Sequence, residues 1–283
     1  MKYSKSPLNE RSIAAPLSER PVITVTTDFG LSDYFVGSVK GVLLERVPGV
    51  RLVDITHNIP RHDIVSAAFV IKEAYRYFPV GSIHMVVVDP GVGTQRREII
   101  AVHEGHFFVA PDNGVLTYLL QNKKNTVYQI KESVFFTFRK SSTFAGRDHF
   151  APIAALLAKG IKPGELGSPI NDWRSIEGLS PQRVGDSITG KIVYFDHFGN
   201  AITNLTGSLL KERSQGNPLS LSLSGKTFQG LKKAYAEGQQ GEGNLILNSS
   251  DHLEIFVPGE SARDRLNLKL LDAVHLKFIR SLL

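Results

Sequence analysis

Between Pro21 and Gly160, short β-branched apolar runs alternate with stretches whose apolar residues recur every three or four positions. That alternation confines the first part of the chain to an α/β sheet that is at least partly parallel. An apolar run at 22–27 leads to a helical stretch at 33–47, and a second strand at 50–55 follows. Ile64, Ala68, Ile71, Tyr75 and Phe78 then share one helical face, behind Asp63 as a candidate N-cap. Another buried strand is expected at 82–88, and the runs 99–103 and 107–110 read as a hairpin turning at Glu104-Gly105. Helices are expected at 115–120 and 150–159, the latter stopping at Gly160.

After about Val184 the texture changes. Short strand-like runs at 190–196, 220–223, 245–248 and 253–257 are separated by Gly-, Asn- and Ser-rich turns, the pattern of a compact all-β domain. The expected organisation is an N-terminal extension (1–20) with little apolar periodicity, an α/β domain (21–183) and a smaller all-β domain (184–283).

Composition narrows the chemistry. The chain has no cysteine, so disulfides, zinc–thiolate sites, iron–sulfur clusters and thiol nucleophiles are excluded, and oxygen and nitrogen groups must do any catalysis. The net charge is +6, yet the basic residues are scattered, with only short pairs such as Lys123-Lys124 and Lys232-Lys233, so no nucleic-acid footprint is expected. Neither a membrane-spanning run nor a signal-peptide core occurs, and the expected setting is cytoplasmic, with no membrane partner.

In open α/β sheets the ligand crevice lies beyond the carboxyl ends of the strands. Asp28, Asp54 and Asp89 each end an apolar run and so become candidates. Asp28 precedes Phe29-Gly30 and either accepts hydrogen bonds from a ribose diol or caps the following helix. Asp89 opens Asp89-Pro90-Gly91-Val92-Gly93-Thr94, a loop without the Gly-Lys-Ser/Thr ending of a phosphate cradle. Arg96, seven residues on, is placed to pair with Asp89, for structure or for chemistry. His149, just before an apolar helix, is a proton acceptor or a cap. His57, His62 and Asp63 could be gathered round a metal, but their spacing matches no helix-face pair and no metal is expected. The Phe195-Asp196-His197-Phe198-Gly199-Asn200 segment suits stacking on a planar ring and binding of an ammonium group, or is a turn with a packed Phe.

Taken together, Thr26-Thr27-Asp28-Phe29-Gly30, Asp54-Ile55-Thr56-His57, the Asp89 loop with Arg96, Ala110-Pro111-Asp112-Asn113-Gly114, the segment 146–149, the Asp196 segment and Leu247-Asn248-Ser249 resemble, in this order, the S-adenosyl-L-methionine (SAM) hydroxide adenosyltransferases, or SAM hydrolases. These are related to the fluorinating and chlorinating enzymes. The resemblance implies hydrolysis of SAM to adenosine and methionine, without a cofactor, on an N-terminal α/β domain joined to a C-terminal β-barrel, in a homotrimer whose active sites lie between the N-terminal domain of one subunit and the C-terminal domain of its neighbour. It places water activation on Asp89, Arg96 and His149 and ribose binding on Asp28. It puts the methionine ammonium and carboxylate on Asp196 and Ser249, and the adenine among Asn200, Phe198 and Tyr235. This chain departs from relatives that carry Arg after the Asn-Ser pair, having Ser250-Asp251 instead. Halide-using relatives carry Tyr in place of Asp89 and lack His149, so the resemblance favours water as nucleophile. The alternatives are a chloride adenosyltransferase and a non-catalytic SAM- or adenosine-binding module.

Overall fold

The computed structural model describes residues 20–121, 124–135, 143–185, 187–214 and 218–279. The expectation for residues 1–20 thus falls almost wholly outside the described residues. The elements, in chain order, are β1 (Val22–Thr27), α1 (Phe35–Arg46), β2 (Arg51–Thr56), α2 (Ile64–Ala74), β3 (Ile83–Val87), β4 (Glu98–His103), β5 (His106–Pro111), α3 (Thr117–Leu120), β6 (Thr126–Ile130), α4 (Glu132–Phe135), α5 (Ala151–Ala158), α6 (Pro163–Leu166) and β7 (Gly167–Ile170). They continue with β8 (Gln182–Val184), β9 (Ser187–Phe195), β10 (Ala201–Thr206), α7 (Gly207–Ser214), β11 (Leu219–Leu223), β12 (Lys226–Gln229), β13 (Asn244–Leu247), β14 (His252–Phe256), α8 (Ala262–Leu266) and β15 (Ala273–Phe278). Two compact units result, one of Met1–Asp63 with Ala74–Arg174, the other of Ile64–Glu73 with Ser175–Leu283.

The first unit is built on a seven-stranded sheet of order β2-β1-β3-β5-β4-β6-β7. Pairing is parallel from β2 through β5 and antiparallel from there to β7. β1 and β3 are buried on both faces, which is why they read as nearly unbroken β-branched or apolar runs. One sheet face packs Ile23, Val25, Met85 and Val109 against Val39 and Leu43 of α1 and Phe150, Ile153 and Leu157 along α5. The β4–β5 hairpin turns through Glu104 and Gly105, both left-handed, with His103 paired to His106.

The second unit is an all-antiparallel sheet of order β12-β11-β15-β9-β10-β14-β13, with β8 added beside β9. Lys232 N–H donates to Leu245 O (2.8 Å), so the chain leaving β12 bonds to β13 and nearly closes the sheet into a barrel. Leu205, Leu221, Leu253, Ile255 and Leu276 fill its interior.

In the first unit, a chain of imidazoles runs through the interior. Thr24 Oγ1 bonds His84 Nδ1 (2.8 Å), and His84 Nε2 bonds His106 Nδ1 (3.1 Å), with the His84 ring stacked on Phe108. Burial, then the neighbouring His106, pushes the His84 imidazole from its ordinary 6.5 down to about 3. Between those limits the unfolded chain binds a proton at His84 that the folded chain does not, so stability is lost as pH falls through this window. The slope from this one proton is at most about 1.4 kcal/mol per pH unit. Urea denaturation should therefore show the wild type losing about 2 kcal/mol more than His84→Gln between pH 6.5 and pH 5; identical pH dependence in the two proteins contradicts this.

Candidate active site

β1 lies between β2 and β3, so the β1-to-β2 and β2-to-β3 crossovers run in opposite directions across the sheet, and a crevice opens beyond the carboxyl end of β1. Asp28 follows β1 and Asp89 follows β3 by two residues, and both line a cleft of about 330 Å³ in the first unit. Its apolar wall is an edge-to-face cluster of Phe29, Phe35 and Phe144, with ring centroids 5.2–6.0 Å apart. Asp28 Oδ2 accepts the N–H of His62 (2.9 Å), which orients the carboxylate. Arg61 and His62 also line the cleft, although the sequence pattern did not single out Arg61.

Asp54 and His57 do a different job from the one their positions suggested. Asp54 bonds Lys40 Nζ (2.6 Å) and lies 3.1 Å from His57 Nε2, while His57 Nδ1 bonds Thr27 Oγ1 (2.8 Å). Burial raises the Asp54 carboxyl, but hydrogen bonds from Lys40 and His57 outweigh it and hold the group below its ordinary value. Thr27 Oγ1 in turn accepts the N–H of Phe29 (3.3 Å), so the buried Thr27–His57 pair fixes the turn that carries Asp28. Among the described residues no group of three or more His, Asp or Glu is arranged to hold a metal.

Arg96 Nε donates to Asp89 Oδ2 (2.7 Å), and Asp89 Oδ1 accepts the N–H of Gly91 (3.1 Å). The guanidinium also donates through Nη1 to Glu98 Oε1 (2.8 Å), and the same oxygen bonds His149 Nδ1 (2.9 Å). Asp89, Arg96 and His149 are thus joined through Glu98, a residue the sequence reading missed. Burial lowers the Arg96 guanidinium, but hydrogen bonds from Asp89 and Glu98 prevail and hold it above its usual value. His149 sits in a π-helical turn, Gly146–Phe150, running directly into α5. Such one-turn irregularities re-aim side chains and recur at functional sites.

Behind the Asp89 loop, Asn113 Nδ2 donates to Val88 O (2.9 Å), and buried Asp112 accepts from Arg97 Nε (2.8 Å) and Arg174 N–H (2.8 Å). The Ala110–Gly114 motif therefore anchors the strand end from which Asp89 projects.

The second unit carries a cleft of about 520 Å³ lined by Asp196, Phe198, Asn200, Tyr235 and the segment 256–261. Asp196 Oδ1 accepts the N–H groups of Phe198 (3.0 Å) and Asn200 (2.8 Å), which folds the turn tightly, with Gly199 left-handed at φ 81°. Tyr235 stacks edge-on against Phe256 and donates to buried Glu254 (2.9 Å), itself held by Asn248 Nδ2 (3.0 Å). Burial, then the Glu254 hydrogen bond, pushes the Tyr235 phenol up to about 12. Burial likewise raises the Glu254 carboxyl. Ser249 is an exposed turn residue and does not line this cleft. The turn continues through Ser250 to Asp251, whose carboxylate accepts the N–H of Ser208 at the start of α7 (3.1 Å).

Comparison with known proteins gives a consistent answer. Residues 23–167 match the family of SAM hydroxide adenosyltransferase N-terminal domains, and residues 190–275 that of the C-terminal domains. A protein of Thermus thermophilus named (R)-S-adenosyl-L-methionine hydrolase is 36% identical over 88% of this chain and 96% of its own length. A protein named fluorinase, from an Actinoplanes species, is 27% identical over 85% of this chain and 92% of its own length. The crystal structure of an uncharacterized conserved protein from Thermotoga maritima superimposes with a TM-score of 0.82 at 30% identity, covering 90% of this chain and 99% of that one.

Removing Asp112 takes the acceptor from the Arg97 Nε and the Arg174 N–H, while Arg97 keeps Asp172. Asp112→Ala should therefore cost about 1.5 kcal/mol of stability in urea denaturation, and a loss below about 0.5 kcal/mol contradicts the anchoring role.

Proposed function

The chain belongs to the SAM hydroxide adenosyltransferase family, and from that membership we propose that it hydrolyses SAM to adenosine and L-methionine by attack of an activated water at ribose C5′. The observation that carries the proposal is the cleft at the β1/β3 switch point, flanked by Asp28 and Asp89, with Arg96 bound to Asp89.

The leaving group of a sulfonium is a neutral thioether, so no general acid is needed and the reaction calls for neither a metal nor a redox cofactor. The demanding step is making and placing the nucleophile. Asp89 holds the attacking water and takes its proton directly or through His149, while Arg96 stabilises the developing hydroxide. Hydrogen bonds from Asp28 to the ribose hydroxyls fix C5′ relative to that water, and an error of about 1 Å there costs on the order of a hundredfold in rate. A halide in the same place would meet the fixed Asp89 carboxylate, which supports water as the nucleophile.

In this reading the second unit's cleft takes the rest of the substrate. Phe198, Asn200 and Tyr235 surround the adenine and Asp196 meets the methionine ammonium, whereas Ser249, the expected partner of the carboxylate, lies outside this cleft. The active form is a homotrimer, each site assembled from the first unit of one subunit and the second unit of its neighbour. Leu31 (67% exposed) and Tyr34 (69%), near the first cleft in sequence, and Phe198 (74%) in the second support this, because large apolar side chains so exposed suit burial against another copy. No helix among the described residues is long and apolar enough to cross a membrane, and a cytoplasmic setting accompanies the proposal.

The purified protein should convert SAM to adenosine and methionine in equal amounts, at a rate indifferent to chloride. Asp28→Ala should raise KM at least tenfold with a smaller change in kcat, while Asp89→Ala and His149→Ala should lower kcat by roughly 10²–10⁴ with KM little changed. Intact SAM, a 5′-chloro nucleoside, or equal effects on kcat and KM in all three variants contradicts the assignment.

A further inference from the structure

Glu98 is held in a way that a merely structural carboxylate does not require. One oxygen, Oε1, receives both Arg96 Nη1 (2.8 Å) and His149 Nδ1 (2.9 Å). The other, Oε2, is buried with no hydrogen-bond partner among the described residues, although the side chain is only 8% exposed. An ionised oxygen left without a donor in the interior is destabilising. Such a group calls for a role beyond packing.

We infer that Glu98 is a positioning residue for water activation, fixing His149 in the tautomer that leaves Nε2 as the proton acceptor. A carboxylate already paired with Arg96 accepts and does not donate, so the proton on His149 sits on Nδ1 and the lone pair on Nε2. Among the described residues, Glu98 and, beyond it, Arg96 and Asp89 face the ring across the cluster. On its own turn Arg147 is paired to Asp148, Nε to Oδ1, at 2.7 Å.

Charge explains why this arrangement suits the chemistry. With a neutral ring, Asp89, Arg96 and Glu98 sum to one negative charge; once the ring takes a proton, the cluster is neutral. Proton transfer therefore neutralises the cluster, and the negative charge passes to the hydroxide, which Arg96 and the sulfonium attract. The inference rests on the hydrolase reading, and its step balances. Water gives a proton to His149 Nε2, its oxygen bonds to C5′, the C5′–S pair returns to sulfur as methionine leaves, and the imidazolium releases its proton to solvent.

Asp89 complements this division. Arg96 occupies Oδ2 and the Gly91 amide occupies Oδ1, which suits the group to holding the water in place while the imidazole takes the proton.

Two variants test the idea. Glu98→Gln keeps the shape and removes the charge, and it should lower kcat by about a hundredfold while KM for SAM stays within about threefold. Glu98→Leu removes the acceptor, and ¹⁵N NMR of the histidine rings in the substrate-free protein should show His149 moving from protonation at Nδ1 to protonation at Nε2. Thermal melting of both variants confirms that they are folded. A Glu98→Gln kcat within about threefold of wild type, or an unchanged His149 tautomer in Glu98→Leu, overturns the inference. If the wild type leaves SAM intact while the tautomer still moves, the hydrolase reading fails and the coupling of Glu98 to His149 stands.

Discussion

Parallel pairing of β1 with β2 on one side and β3 on the other is the constraint from which the first unit's site follows. Because the three strands run the same way, their carboxyl ends share one edge. Because the chain leaves β1 to one side and later returns on the other, no crossover fills the space above β1 and β3. Asp28 and Asp89 stand at the rims of that space. The depth of the sheet core, where Ile23, Val25, Ile83 and Met85 are essentially inaccessible, makes the two strand ends a rigid base. The Asp54–His57–Thr27 network under one rim and the Asp112–Asn113 anchor under the other then hold each carboxylate in position.

Electrostatics divides this scaffold by function. The pairs behind the site, Lys40–Asp54 and Arg97–Asp112, are satisfied on both sides and fix loops. The chain through Asp89, Arg96, Glu98 and His149 is different, since it concentrates two carboxylates on one guanidinium and leaves a buried oxygen without a donor. Charges so arranged are preorganised, and under the proposed reaction they would meet a developing hydroxide without first having to reorient. In the second unit, the Asp196 turn and the Glu254–Tyr235 pair similarly hold the walls of the second cleft in place, with the left-handed Gly199 allowing the backbone to approach Ser261 closely.

The strands that build the first unit were legible because burial on both faces demands β-branched runs. Val22–Thr27 and Ile83–Val87 are the clearest, and the acids that end them were legible as well. In the second unit β10 was hidden, because its buried Thr203 and Asn204 look like loop residues. They are satisfied by Leu253 O and Leu179 O, partners 50 and 25 residues away. The expected helix at 115–120 shortened to Thr117–Leu120, since Asn113 Oδ1 instead accepts the Val115 N–H in a turn. Glu98 left a faint signal: two residues from Arg96 at the start of a strand, it can share that residue's face. Its bond to His149 spans 51 residues and no local pattern encodes it.

The central claim is that water, activated at Asp89, Arg96 and His149, attacks C5′ of SAM. The direct measurement is turnover of SAM in ¹⁸O-labelled water, followed by mass spectrometry of the nucleoside product. The account predicts label in the 5′-hydroxyl of adenosine; adenosine formed without label, or a nucleoside carrying another nucleophile at C5′, would contradict it.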